Sequence, residues 1–455
     1  MIEKIQNIKK KSTSYNLTSR SEINCFYPRN YNDIKKILFF LKKNNQKVLI
    51  KTGGCSYGDK ANLKDSDYTI SLQKISSIIS FDKKKKIINA QAGIQLEKLL
   101  DFLEEKGYGI FNVPGGKKVS LGGAISGNVH GRPATKTYST FGDNVISLKV
   151  MMENGTKKVL RNGNKSFNEI VGGLGLFGII LEAKIKVFKI NSYYYKEKAS
   201  LIKSEKQFLE YQKDISYCVG VCNYFNQSNF EGKFYKFIPQ KNIDNEKVVT
   251  TSKYNFFDFI NYLKIPFLMS LTVNFFTLQI FYFLLFNIKI FNTGNKLLNF
   301  KKSVYLSDIN QTLPNYYRGG LIEIQFGFKK RKLFHLIKKL KKMISFYKVF
   351  PIYFIIKKMH KSKKKYIFNF PKNRFNITLT FTKKCYEENR YFFAMLYKIL
   401  KENKCNLYMT KDETFIQNAD PKIVKKYFNL SLFKKNKILS SDFKEKIMGN
   451  YFTGN

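Results

Sequence analysis

Three stretches of this 455-residue chain are unusually dense in glycine, and a fold has to find a use for each of them. The first is Gly53-Gly54-Cys55-Ser56-Tyr57-Gly58-Asp59, directly after the short apolar run 47–51. Glycine allows positive φ and a close approach of backbone to a ligand. Successive N–H groups in such a loop can form a nest for an anion. Alone, the stretch is also compatible with an ordinary tight turn. The second is Pro114-Gly115-Gly116, followed by 120–131 with four Gly and one Ala. That is too long for a turn and suits a backbone laid against a large flat or extended ligand. His130, one of only three histidines, lies inside it and becomes a candidate site residue. The third, 172–178, satisfies G-x-G-x-x-G at Gly173, Gly175 and Gly178. The dinucleotide fingerprint of that spelling needs a strand before it and a helix after it. Here a helical segment precedes and a strand, 179–190, follows, so no nicotinamide fold is implied.

Periodicity places these stretches among alternating helices and strands. Helices are expected at 31–45, 94–106 and 166–171, and strands at 47–51, 68–72, 86–92 and 179–190. The runs 145–152 and 157–160 read as a hairpin around Asn154-Gly155, a type I′ signal. Further on, strands are expected at 321–328, 349–356 and 375–381, and helices at 329–346 and 391–402. The fold class is α+β. The first domain is expected over 1–192, a second over 193–405, and 406–455 is expected to return to the first.

Lys+Arg is 81 against 33 for Asp+Glu, a net charge of +48. Such a balance ordinarily suggests nucleic acid. Here the Lys is spread along the chain, and Lys, Asn, Ile, Phe and Tyr all use AT-rich codons. The short clusters at 83–86, 329–332 and 361–365 read as solvated faces, and no nucleic-acid partner is expected. What remains is attraction to anions, including anionic lipid headgroups. The six cysteines include only one close pair, Cys218 and Cys222, and no second Cys/His pair at zinc spacing, so no metal site is expected. The basic start lacks a following apolar run and does not read as a secretory signal. The expectation is a reducing, cytoplasmic location, at most peripheral on the inner face of the membrane.

In order and spacing, the three stretches resemble the FAD-binding domain of the vanillyl-alcohol-oxidase-type (PCMH-type) flavoproteins over about residues 25–190. Thr140–Val145 (TFGDNV) and the GGLGLFGII run are similar to the segments that close that domain. Within the family the chain is most similar to the decaprenylphosphoryl-ribose 2-oxidases. The S-Y-G-D of the first loop and Tyr408-Met409-Thr410-Lys411-Asp412 carry that likeness. The resemblance implies an FAD-linked oxidase fold of two domains, the second a cap with an antiparallel sheet. It also implies FAD held by Gly53, Gly54, Cys55, Ser56, Tyr57, Gly58, Asp59, Gly115, Ser120, Leu121, Gly122, Gly123, Gly127, Asn128, Val129, His130, Ile179 and Tyr408. Many members tether the flavin through a His in the first loop. Here Cys55 stands at that position, so non-covalent FAD is expected. Thr378 stands where the resembled enzymes carry an active-site cysteine.

The implied reaction is oxidation of a secondary alcohol on a sugar, at C2 of a polyprenyl-phosphate-linked pentose, as the first half of an epimerisation. A separate NAD-dependent reductase is the implied partner. Lys411 is the candidate cation for charge growing on the flavin, and Tyr57 and His130 are candidates for contacting the hydroxyl and accepting its proton. Gln325, Lys357, Asn376 and Thr378 are candidate substrate contacts, with Lys357 near a phosphate; its neighbour Lys358 aligns equally well. The rival readings are an oxidase or dehydrogenase of a soluble alditol or aldonolactone, and a non-catalytic basic membrane- or nucleic-acid-binding protein. The uncharged segment 265–288, within the hydrophobic stretch 255–300, is long enough for one membrane crossing. It also contains Pro266, Asn274 and Gln279 and falls where the family places a mobile flap. A membrane-facing flap is the expectation, with a crossing and ordinary buried structure as alternatives.

Overall fold

The computed structural model describes residues 5–63, 68–192, 194–213, 218–240, 274–287, 296–305, 313–317, 319–360, 362, 364–368, 370, 375–418, 430–434 and 437–452. The expected flap residues 255–273 and 288–295 lie outside them.

Two sheets build the first half. Strands β1 (Asn7–Thr13), β2 (Arg20–Phe26), β3 (Val48–Lys51) and β4 (Tyr68–Ser71) form a sheet in the order β1-β2-β4-β3. Its last two pairings are parallel. Helix α1 (Tyr31–Lys43) starts where Asn30 caps the Asp33 N–H, and buries Ile34, Ile37, Leu38 and Leu41. A side-chain acceptor there satisfies one of the orphan donors at a helix start. The second sheet takes the order β5-β6-β10-β8-β9, from β5 (Ile78–Asp82), β6 (Ile87–Gln91), β8 (Val145–Met151), β9 (Lys157–Arg161) and β10 (Ile179–Lys186). Between β6 and β8 run α2 (Leu96–Glu104), β7 (Tyr108–Gly109) and the short α3 (Leu121–Ser126); α4 (Lys165–Ile170) lies between β9 and β10.

Two local expectations change. The expected strand 179–190 is broken at Val187, whose N–H goes to the Lys86 carbonyl. Its end becomes β11 (Phe188–Lys189), which pairs with β7. The hairpin is present, but its turn is not type I′. Gly155 N–H returns to the Met152 carbonyl, Met152 N–H reaches Thr156, and only Gly155 has positive φ (78°). This is a type I turn followed by a glycine bulge, which spares Asn154 the left-handed region.

The second half is one antiparallel sheet of eight strands. Its order is β15 (Lys296–Asn299), β12 (Tyr194–Ile202), β14 (Gly232–Gln240), β13 (Cys218–Cys222), β17 (Tyr353–Lys358), β18 (Phe375–Thr382), β16 (Leu321–Phe328), β19 (Asn406–Leu407). The strand expected at 349–356 starts later because Lys348 closes the preceding helix at φ 53° and Pro351 has no N–H to give a ladder. Side chains alternate across a sheet, and this one separates cleanly. One face carries Ile322, Ile324, Phe326, Phe328, Phe354, Ile356, Ile377, Leu379 and Phe381, all buried. Phe381 meets Phe392 and Phe393 of a helix at Arg390–Glu402. The other face is polar and turns toward the first half.

The chain then returns. Lys60 donates to the Asp412 carbonyl (2.7 Å), Asn16 and Thr18 hold Glu413, and Ser440 N–H reaches the Val48 carbonyl.

Gly53 packs so tightly that a Cβ there would lie 2.4 Å from the Lys118 carbonyl oxygen and 2.8 Å from Ser120 N. Backbone cannot yield as a side chain does, so Gly53→Ala is expected to destabilise by about 1–3 kcal/mol. A thermal melt checks this; an unchanged midpoint would disprove the tight contact.

Candidate active site

The three glycine stretches meet in one groove. Its walls include Gly53, Gly54, Cys55 and Ser56 from the first; Ser120, Gly122, Gly123, Gly127 and Val129 from the second; and Leu174, Gly175, Phe177 and Gly178 from the third. The groove holds about 990 Å³, its solvent-open mouth included. Ser120 sets the alignment. Its hydroxyl donates to Thr52 Oγ1 (2.6 Å) and accepts from the N–H groups of Gly53 (3.0 Å) and Gly123 (3.3 Å). It is thus the N-cap of α3 and the clasp between two loops.

Two observations test whether a dinucleotide fits. A Cβ on Gly54 (φ 70°) or Gly175 (φ 78°) would meet nothing within 4 Å, so backbone is bared to open groove. The N–H groups of Gly54, Cys55, Ser56 and Tyr57 find no acceptor among the described residues. Three of these donors, on Gly54, Cys55 and Ser56, belong to groove walls, and successive free donors beside a positive-φ glycine suit an anion such as a pyrophosphate. The residues present fit the group.

Other expected cofactor residues stand elsewhere. Leu121 and Ile179 are fully buried in the core. Asp59 is ion-paired with Lys60 (3.0 Å) and Lys446 (3.3 Å). Asn128, at φ 40°, accepts the Gly142 N–H on its side-chain Oδ1 (3.1 Å). Tyr57, Gly58, Gly115, His130 and Tyr408 are not among the groove walls. Lys51, Thr52, Lys60 and Thr410 line the groove and were not singled out in the sequence. A Lys inside a short strand carries no signal of its own.

His130 and Tyr408 instead mark the junction with the polar sheet face, their rings 5.0 Å apart. On that face Glu323, Gln325 and Gly327 of β16 stand opposite Thr380, Thr378 and Asn376 of β18, and Asn376 stands opposite Lys357 of β17. The four expected substrate contacts therefore share one surface. Lys358 does not; it alternates to the opposite face and donates to the Gln212 carbonyl. Gln325 Oε1, both polar atoms of the Asn376 amide, and Thr378 Oγ1 are buried without partners among the described residues. Native proteins rarely leave such groups unpaired, and their concentration on one patch is the mark of a ligand surface.

Lys411 forms an ion pair with Glu323, and its ammonium lies 5.2 Å from the Tyr57 ring centre. Burial alone would lower the Lys411 pKa, but the charge and hydrogen bond of Glu323 outweigh it and hold it above the ordinary value. Glu323 was missed in the sequence; two residues before Gln325, it shares that residue's face. Burial, with the Glu323 carboxylate next, pushes the Tyr57 phenol well up, so it stays protonated and can donate. Burial and the cations of Lys357 and Lys411 push His130 well below the usual range. Gln325 Nε2 lies 3.1 Å from His130 Nε2. The contact ties the ring to β16, and its donor follows the imidazole tautomer. Lys357 is pushed down to about 7 by burial, with Lys411 and Arg132 adding to the effect.

Residues 24–161 match the family model described as an FAD binding domain. Decaprenylphosphoryl-β-D-ribose oxidase of Mycolicibacterium smegmatis is 30% identical over 151 residues, 32% of each chain. The mitochondrial D-lactate dehydrogenase [cytochrome] 1 of Saccharomyces cerevisiae is 31% identical over 170 residues, 35% of this chain and 29% of the relative. The matches thus span about a third of these relatives' length. Cholesterol oxidase from Brevibacterium sterolicum superposes with a TM-score of 0.73 at 11% identity, over 98% of both chains. The chain therefore contains an FAD-binding domain and has the two-domain fold of the FAD-linked oxidases.

Glu413 sits beside this site, accepting from Asn16 Nδ2 (2.8 Å) and Thr18 Oγ1 (2.7 Å). Burial pushes its pKa up to about 7. The folded state thus binds its proton more tightly than the unfolded chain. The stability this confers is complete below about pH 4.5 and is lost as pH rises to about 7, on the order of 3 kcal/mol. Glu413→Gln is expected to flatten the melting midpoint across that window; an unaltered slope would exclude Glu413 as its source.

Proposed function

We propose that this chain, an FAD-linked oxidase by fold, binds FAD non-covalently in the glycine-lined groove and oxidises a CH–OH group of a sugar. The observation that carries the reading is the abutment of two surfaces: a groove of bare backbone with free N–H donors, and a sheet face of buried, unpartnered polar groups. Thr410 joins them, lining the groove while donating to the Gly127 carbonyl (2.7 Å). For non-covalent binding, burial pushes the Cys55 thiol up to about 11, which leaves it a weak nucleophile.

When bound, the cofactor supplies acceptance of a hydride from the carbinol carbon. Gln325, Asn376 and Thr378 orient the sugar hydroxyls, satisfying their own orphan atoms in the process. Tyr57 donates to the reacting oxygen. Glu323 takes its proton, since burial and the neighbouring ammoniums disfavour a charged His130. Lys411 keeps that carboxylate in place and offers a cation to negative charge developing on the cofactor.

The finer assignment is a polyprenyl-phosphate-linked pentose oxidised at C2, its keto product then reduced by a separate NAD-dependent reductase. Lys357 favours it over a free polyol. Among the described residues this half-buried ammonium has no carboxylate partner, and a cation withdrawn from water without one is costly. A substrate phosphate supplies the missing charge. The alternative, a soluble alditol or aldonolactone, draws on the likeness to an L-gulonolactone oxidase of Arabidopsis thaliana (26% identical over 182 residues).

Purified protein is expected to be yellow, absorbing near roughly 450 nm, and to bleach anaerobically with polyprenyl-phosphoryl pentose rather than free polyols. Colourless protein that takes up no added FAD would end the reading; bleaching by polyols alone would select the alternative. Lys411→Ala is expected to keep its flavin and lose about 100-fold or more in turnover, measured as the rate of flavin reduction. Because the Lys357 ammonium is lost as pH rises through about 7, KM for the phosphoryl substrate should climb between pH 7 and 9. Lys357→Met should raise it at all pH values. An unmoved KM in both tests would take Lys357 out of phosphate recognition.

A further inference from the structure

The helix Phe275–Asn287, FFTLQIFYFLLFN, is apolar on both sides. One side is used: Leu278, Tyr282 and Phe286 are buried, and the Tyr282 hydroxyl bonds the Ile352 carbonyl and the Phe354 N–H, each at 3.3 Å. The other side faces solvent. Phe276 is 71% exposed, Ile280 58% and Phe283 62%, at the i, i+4, i+7 spacing of one helical face. A helix apolar all round is normally enclosed, and the anchoring of Tyr282 fixes this one half-out.

Its surroundings repeat the pattern. Phe275 packs on Phe350 (4.9 Å), just past the end of the helix Leu333–Tyr347, where Phe346 is 79% exposed. Tyr347 of that helix meets Tyr391 (5.8 Å), itself 67% exposed. Cations border these rings. Lys342 and Lys338 are exposed one and two turns before Phe346, and Lys348 lines the cleft beside Phe275. None of the three has a carboxylate partner among the described residues, whereas Lys383 and Lys384 nearby pair with Glu387 and Glu388.

From exposed aromatics fixed on one side, fringed by unpaired lysines, we propose that this face docks on an anionic lipid bilayer. Net charge decides the occupant. Two copies of a chain carrying +48 repel, while an anionic headgroup layer attracts the lysines and its acyl region takes the rings. The helix lies in the interface rather than crossing it: its 13 residues span about 20 Å, short of a hydrocarbon core of about 30 Å, and no described helix is long and apolar enough to cross a membrane. Docking also brings lipid toward the polar sheet face. Phe281 touches Tyr353 (6.2 Å), which stands four residues, about 13 Å, before Lys357 on the same face. The docking holds whichever alcohol is oxidised.

The chain has no Trp, so Phe283→Trp installs a single reporter. The FAD-loaded protein is expected to co-sediment with phosphatidylcholine vesicles containing about one-third phosphatidylglycerol and not with phosphatidylcholine alone. Brominated acyl chains should quench the tryptophan at 283 but not one placed by Val159→Trp, an exposed position of the first half. Phe276→Glu with Phe283→Glu should weaken vesicle binding about tenfold or more while keeping the flavin absorbance. Absence of binding, equal quenching of both reporters, or binding untouched by the glutamates would overturn the proposal. So would a dimer in light scattering that the glutamates dissolve, which would assign the face to a second copy. If the double variant does not fold, the quenching contrast decides alone.

Discussion

The architecture turns on one hydroxyl. Ser120 Oγ joins Thr52, the Gly53 N–H and the Gly123 N–H, so the loop after β3 and the start of α3 cannot move apart. A helix of only six residues has little stability of its own; its place is set by this clasp and by contact of Gly122 with Ala92. A Cβ at Gly122 would stand 2.9 Å from that of Ala92. Bare backbone therefore does two jobs at once. It lets three loops pack closely, and it leaves donors facing a common space.

Electrostatics at the domain junction follows from crowding cations around few anions. Lys357 and Lys411 share a buried region with Glu323. The carboxylate stands by Lys411, so Lys411 stays charged and Lys357 is left poised near neutrality. Burial first, and then the same two ammoniums, disfavour a charged His130, although in sequence this residue looks like a proton acceptor.

Much of this was legible beforehand. The apolar spacing of Ile34, Ile37, Leu38 and Leu41 specifies α1, and glycine density marks the loops that meet in the groove. The side of the sheet taken by Gln325, Asn376 and Thr378 follows from strand alternation once the strands are located. What was not legible depends on pairing between distant segments. Neither Lys51 nor Lys60 announces itself, because each becomes a wall of the groove only through partners distant in sequence, Ser12 for Lys51 and the Asp412 carbonyl for Lys60. The Lys411–Glu323 pair spans 88 residues and three strands, and no local pattern encodes it. The Asn154-Gly155 signal predicted a hairpin correctly and its turn incorrectly, because one extra residue in the loop relieved Asn154 of positive φ.

The return of the chain at 408–413 has a consequence for biosynthesis. Thr410 closes the groove against Gly127, and Glu413 ties down the loops bearing Asn16 and Gly58. A ribosome that has translated the entire glycine-rich half has still not produced these residues. The nascent cradle must wait, unfinished, through synthesis of the intervening sheet, and its walls are complete only once Thr410 has emerged.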